Sequence, residues 1–225
     1  IAHGLIMKDR MDARVLGLES LCLLTDPRKT GIVTSILTAH VVLLGSTRGV
    51  QIPGVEEDKF TDEGPFQEIR ESILNLVQFS RIGEDEELID GDGDTEKEHL
   101  KRLHNLALAV LANSLDCIEY PDRYNVTPED TKPRARLRTP SSTDVANEFL
   151  QQTEDLSKKE ILSTLISELG QAAQTPHNAV LSAKCIGSLC RASDEAKKRA
   201  KELGAKQVVS TALDVGVRTH WKLET

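Results

Sequence analysis

The chain has 225 residues, of which 39% are hydrophobic but only 3% aromatic, and its formal net charge is −8 at pH 7. A core rich in aliphatic side chains and poor in Phe, Tyr and Trp favours close helix packing over a β-sandwich, so an all-α fold is expected. The negative charge disfavours non-specific attraction to nucleic acid or anionic membranes, and no run of 18 or more apolar residues could cross a bilayer.

The first half of the chain contains four segments with helical periodicity. Residues 12–24 place apolar side chains on one helical face. Residues 32–44 are apolar enough for a buried helix, and their length favours it, although their β-branched content leaves a strand open. Residues 66–79 resume the helical pattern, and residues 103–118 form the clearest long amphipathic helix, which ends before Pro121.

Three stretches between these segments are predicted to be loop insertions, at about residues 45–65, 83–99 and 121–143. The first holds four glycines and two prolines among acidic residues, and the third holds four prolines and almost no apolar side chains. The second carries nine carboxylates between positions 84 and 98 against a single lysine. We expect this acidic stretch to be exposed to solvent.

Residues 159–216 predict a particular succession of helices. Two apolar helical faces are separated by a breaker at residues 175–178. Ser193 then offers an N-cap, and Gly204 ends a polar helix before a last apolar stripe. A helix pair with too little apolar surface to fold alone must stack on its neighbours, which is the physics of an α-solenoid.

These segments resemble the armadillo repeat, a family of three-helix units related to HEAT repeats. Residues 178–190 (Asn-Ala-Val-Leu-Ser-Ala-Lys-Cys-Ile-Gly-Ser-Leu-Cys) look like the third helix of one repeat. Residues 202–205 look like the turn between the first and second helices of the following repeat. Weaker third-helix matches lie at 13–21 and 106–113. The three matches carry small residues at equivalent positions, which are Gly17, Ala107 and Cys185. Successive ones are 90 and 78 residues apart, about two repeat lengths each once loop insertions are allowed. The resemblance implies a right-handed α-solenoid of stacked armadillo/HEAT-like repeats with long loop insertions, forming one domain over residues 1–225.

In peptide-binding members of the family, a Trp and an Asn on the third helices clamp the backbone of an extended basic peptide. Here the equivalent places hold Gly187 and Arg191 in the best repeat and Glu19 and Leu23 in the first, and only Asn113 matches the Asn position. The resemblance therefore does not extend to the recognition of nuclear-targeting peptides. It implies a non-catalytic protein-protein interaction scaffold or adaptor whose concave side carries Arg191, Lys184 and Asn113.

Trp221 follows the last predicted helix. It would cap the open end of the solenoid or anchor a partner, since Trp is enriched where interface energy concentrates. The partners expected are proteins, with no nucleic acid and no membrane insertion. An alternative is a structural accessory subunit held permanently in a larger complex, in which the loop insertions make the contacts.

No catalytic or cofactor motif is found. The chain lacks a phosphate-binding Gly-rich loop, a nucleophile elbow and a dinucleotide fingerprint, so neither enzyme activity nor a cofactor is expected. The Asp-Gly-Asp-Gly-Asp run at residues 90–94 could gather carboxylates on a calcium ion, but Thr95 and Lys101 break the EF-hand pattern. His99 and His104, five apart, point to different faces. A metal-binding or enzymatic protein using the acidic stretch is the less favoured alternative.

The four cysteines show no paired metal-ligand spacing and lie in apolar helical patterns, which indicates free thiols in a reducing intracellular compartment. We favour the cytoplasm. The chain begins at Ile1 without a charged-then-apolar leader, so an organelle reached after removal of a targeting peptide stays open.

Overall fold

The computed structural model describes Gly4 and Ile6 together with residues 10–52, 64–78, 93–119, 139–154 and 161–220. Within these ranges the regular structure is helical apart from an isolated bridge residue, Gln51, which confirms the all-α prediction. The helices are α1 (Met11–Leu24), α2 (Pro27–Thr30), α3 (Ile32–Leu44), α4 (Gly64–Gln78), α5 (Gly93–Glu119), α6 (Ser142–Glu154), α7 (Ile161–Gly170), α8 (Pro176–Ala192), α9 (Asp194–Glu202) and α10 (Ala205–His220).

The largest difference from the predicted boundaries is at the start of α5. This helix begins at Gly93, ten residues before the predicted start, so residues 93–99 of the acidic stretch are helical and not part of a loop. Carboxylates near a helix N-terminus are favoured by the helix dipole and the unpaired N–H groups there. A run of acidic residues is therefore weak evidence for a loop when it precedes an amphipathic helix. The first and third predicted insertions extend two residues too far, because α4 begins at Gly64 and α6 at Ser142.

Two compact units divide the chain, residues 1–145 (the N-terminal unit) and residues 146–225 (the C-terminal unit). In the N-terminal unit, α5 packs against α1, α3 and α4 and is the central helix. Among its described residues, the apolar side chains without exposed surface are Leu103, Ala107, Leu108, Val110 and Leu111. The long apolar stripe predicted for this segment is thus the core of the unit.

The α3–α4 junction is held by side chains that satisfy the last carbonyls of α3. Gly45 ends α3 in the left-handed conformation, with φ 65°. The buried Arg70 of α4 donates from Nε to the Leu43 carbonyl at 3.0 Å, and Gln67 Nε2 reaches the Leu44 carbonyl at 3.5 Å. A cation is favoured at a helix C-terminus, so Arg70 stabilises the end of α3 while it joins the two helices.

The C-terminal unit contains the succession predicted for residues 159–216. Helix α8 packs against α7 and α9, and α10 packs against α7. Ser193 is the N-cap of α9, as predicted: its Oγ accepts from the Ala196 N–H at 3.1 Å. The same hydroxyl donates to Asn147 Oδ1 of α6 at 2.5 Å, so one buried serine joins α6 to the α8–α9 junction. Gly204 ends the next turn with φ 75°.

Candidate partner-binding surface

Helix α8 presents a continuous exposed stripe on the side away from its buried residues. The stripe, called the α8 stripe below, consists of His177, Val180, Lys184, Gly187 and Arg191, of which only Gly187 is half-buried. Spacings of three and four residues place all five on one helical face. The opposite face, which includes Cys185 and Leu189, is buried in the unit. Lys184 and Arg191, predicted to share a binding surface, thus do lie on one exposed face.

Arg191 has a defined position on this stripe. A Cβ atom added to Gly187 would lie 3.1 Å from Arg191 Nη1, so the guanidinium lies directly over the glycine. Arg191 Nη2 also donates to Ser188 Oγ at 3.2 Å. Because a side chain at position 187 would push the guanidinium away, the glycine gives Arg191 room to lie along the helix. The sequence indicated a missing groove residue at 187 but did not predict this contact.

The charge of the α8 stripe is opposite to that of the chain. Helix α8 contains Lys184 and Arg191 but no Asp or Glu. Residues 161–220 carry eight Lys and Arg against five Asp and Glu, a net charge of +3, although the whole chain carries −8. A local field of the opposite sign can attract an anionic group even on an acidic protein.

Nearby cations affect the pKa of Cys190, which lies next to the α8 stripe. Burial raises the pKa of this half-buried thiol, and Lys197 and Arg191 act in the opposite direction. Lys197 on α9 and Arg191 on α8 thus both lie near this sulfur atom. Burial raises the pKa of Cys185, inside the unit, to about 12. Both thiols are poor nucleophiles, since the thiolate is the reactive form.

Asn113, the third predicted binding residue, lies on α5 in the N-terminal unit. Its side chain is half-buried, and Nδ2 points to the Cys22 carbonyl of α1 at a long 3.5 Å. Cys22 Sγ in turn donates to the Leu106 carbonyl of α5 at 3.6 Å. The Asn113 amide thus joins α5 to α1. Trp221, the fourth predicted residue, lies outside the described residues.

The calcium hypothesis rests on positions that the structure describes only in part. Of the run at residues 90–94, residues 90–92 lie outside the described ranges, while Asp94 is in the first turn of α5. Among the residues that are described, no three His, Cys, Asp or Glu side chains come together as metal ligands. His104 is buried and donates from Nδ1 to the Leu76 carbonyl at 2.9 Å, a structural role. His99 is half-buried on the same helix.

No helix in the described part of the chain is long and apolar enough to cross a membrane. The chain matches no protein-family model, no curated protein and no solved structure.

A second exposed feature lies on α1. Leu16 and Leu23 are 52% and 48% exposed, and Glu19 lies between them on the same face. Glu19 accepts from Arg102 Nη2 of α5 at 2.5 Å. The resemblance placed Glu19 and Leu23 at the groove positions of the first repeat, but it did not indicate the exposure of Leu16 or the contact with Arg102. These side chains form an apolar patch beside an ion pair in the N-terminal unit.

Proposed function

We propose that this chain is a non-catalytic protein-interaction module built from armadillo- or HEAT-like helical repeats, and that the α8 stripe contacts its protein partner. The observation that carries this proposal is the exposed, ordered and cationic face of a helix whose opposite face is anchored in the core. A rigid helix face binds at a low entropic cost because its backbone is already in place.

The packing order within each unit supports stacked repeats. In the C-terminal unit, α7 and α10 stand as second helices of successive repeats in the family pattern, and they pack against each other. In the N-terminal unit, the two third-helix matches lie on α1 and α5, which pack against each other. They would therefore belong to adjacent repeats, separated by one repeat with a long insertion and not by two. Contact between equivalent helices of adjacent repeats is what a solenoid requires. The matching small residues Gly17, Ala107 and Cys185 are all buried.

Site-specific crosslinking tests this function on the full chain. A photoreactive amino acid at Val180, whose side chain is 56% exposed on the α8 stripe, should form a discrete crosslink to a protein in an extract of the cells that make this chain. The same group at Lys198, an exposed position on α9, is the control and should not form that product. If Val180 gives no crosslink beyond the control, the proposed interaction surface is wrong.

A second candidate, an accessory subunit held permanently in a larger complex, is favoured by a different observation. Leu16 and Leu23 on α1 and Leu213 on α10 are about half exposed or more, and large apolar patches often mark lasting interfaces. Apolar contacts survive high salt, whereas contacts through Lys184 and Arg191 weaken as salt screens the charges. Native size-exclusion of the extract at low and at 1 M salt separates the two: a complex that persists at 1 M salt favours the subunit.

A further inference from the structure

The α8 stripe also indicates what kind of protein segment would bind to it. The Arg191 guanidinium lies over Gly187, three residues of helix from Lys184, which corresponds to about 4.5 Å along the axis. Alternate side chains of an extended peptide point to the same face and are about 6.6 Å apart. The mobile Lys184 side chain can make up the difference. One such peptide could therefore place one carboxylate on Lys184 and the other on Arg191.

The two cations differ in what they offer a carboxylate. The guanidinium of Arg191 is held over Gly187 and by Ser188 Oγ, so its planar donors are already oriented. Lys184 is exposed and offers a mobile point charge. An oriented arginine loses less entropy on binding and suits a bidentate carboxylate contact. Arg191 would therefore be the anchor, and Lys184 the adjustable second contact.

Val180 adds an apolar contact at the N-terminal end of the pair. It lies four residues before Lys184, about 6 Å along the helix axis, and is 56% exposed. Two residues of extended peptide span a similar distance. A partner segment with an apolar side chain two residues from its first carboxylate would cover Val180.

We propose that the α8 stripe binds an extended acidic segment of a partner protein, with two carboxylates two residues apart on Lys184 and Arg191 and an apolar residue against Val180. This inference deepens the proposed function and rests on it for the use of the α8 stripe. A protein segment is favoured over single-stranded nucleic acid because residues 161–220 contain no Phe, Tyr or Trp on which bases could stack.

Fluorescence anisotropy with a labelled peptide tests this inference on the full chain. The probe is a ten-residue peptide of Ser and Thr that carries one Leu and two Glu, placed two and four residues after the Leu, together with its reversed sequence. The control peptide has the same composition with the two Glu adjacent. We expect one of the two probes to bind at least fivefold more tightly than the control peptide, and more weakly as salt rises.

Three variants locate the contact. Arg191→Gln should weaken binding of the probe by about tenfold, the effect of one lost charge-assisted hydrogen bond. Lys198→Glu changes the charge on the exposed side of α9 and should weaken binding by less than about threefold, since that charge is screened. Gly187→Ala should also weaken binding, because its Cβ displaces Arg191 Nη1, but it should leave the melting temperature unchanged or raised, since alanine favours a helix interior.

Several results would overturn the inference. One is equal affinity for the probe and control peptides. Another is a loss of affinity with Lys198→Glu as large as with Arg191→Gln. A third is tighter binding of a single-stranded oligonucleotide of equal length than of the peptide. A Lys184→Glu/Arg191→Glu variant that keeps the Val180 crosslink would also overturn it while leaving the proposed function intact. Peptide binding without any protein crosslink at Val180 would instead remove the proposed function.

Discussion

Helices α5 and α8 were both matched to the same repeat position, yet the two units use them differently. Helix α5 is surrounded by α1, α3 and α4, and most of its side chains from Leu103 to Ile118 are buried. Helix α8 contacts α7, α9 and α10 but keeps an exposed stripe with two cations and no carboxylate. Asn113, at the family's binding position on α5, points to a neighbouring helix, whereas Arg191 on α8 is exposed to solvent. A sequence match to a binding helix therefore identifies a surface only where the neighbouring helices leave one.

The largest effect we expect follows from this contrast in burial. Leu111→Ala removes a fully buried side chain from α5, and the lost transfer energy and the cavity should cost about 3 kcal/mol of unfolding free energy. The matched substitution Val180→Ala on the exposed stripe of α8 should change it by less than about 0.5 kcal/mol. Hydrogen exchange read by mass spectrometry, on peptides from each helix, measures both. Similar costs at the two positions would contradict the distinction between core and surface.

The N-terminal unit also contains a buried histidine that should make its stability depend on pH. His40 on α3 is almost fully buried, its Nδ1 has no hydrogen-bond partner in the described ranges, and desolvation lowers its pKa to about 4. The unfolded chain binds the proton near pH 6.5, the folded chain only near pH 4. The contribution of neutral His40 to the unfolding free energy is therefore complete above pH 6.5 and is lost as the pH falls towards 4. About 2 kcal/mol of it is lost by pH 5.

Urea unfolding at pH 7 and pH 5 measures this loss. His40→Leu removes the titrating group and the unpaired nitrogen, and His40→Gln removes the titration alone, so both variants should lose about 2 kcal/mol less than the wild type between these pH values. Carboxylates also titrate in this range, but their contribution is common to all three proteins. A pH dependence unchanged in both variants would show that His40 is not the group responsible.

In the C-terminal unit, the buried side chain of Ser193 joins α6 to the start of α9. Ser193→Ala removes the N-cap of α9 and the hydrogen bond to Asn147 of α6, and should cost about 1.5 kcal/mol. Ser210→Ala, at an exposed position on α10, should change the unfolding free energy by less than about 0.5 kcal/mol. Thermal unfolding followed by circular dichroism compares them. Equal effects would mean that neither the cap nor the α6 contact contributes to stability.

Local chemistry explains why much of this fold could be predicted. Ser193 and Gly204 begin and end α9 through a cap and a positive φ that depend only on nearby residues. The apolar period of α3 likewise predicted its two ends. The use of each face could not be predicted in this way. Whether Leu23 is buried, or whether Arg191 lies over Gly187, depends on which helices pack alongside and how closely.

The smallest expected effect is on the ion pair that joins α1 to α5. Glu19 and Arg102 have side chains that are 40% and 59% exposed, so solvent screens their attraction, and an exposed pair of this kind contributes less than about 1 kcal/mol. Glu19→Gln should therefore cost about 0.5 kcal/mol in dilute buffer and nothing measurable in 1 M NaCl, where the Debye length is about 3 Å. A double-mutant cycle with Arg102→Gln isolates the pair from each side chain's other contacts. A coupling above about 2 kcal/mol that persists in high salt would mean that the charges, and not the buried side chains of α5, hold α1 in place.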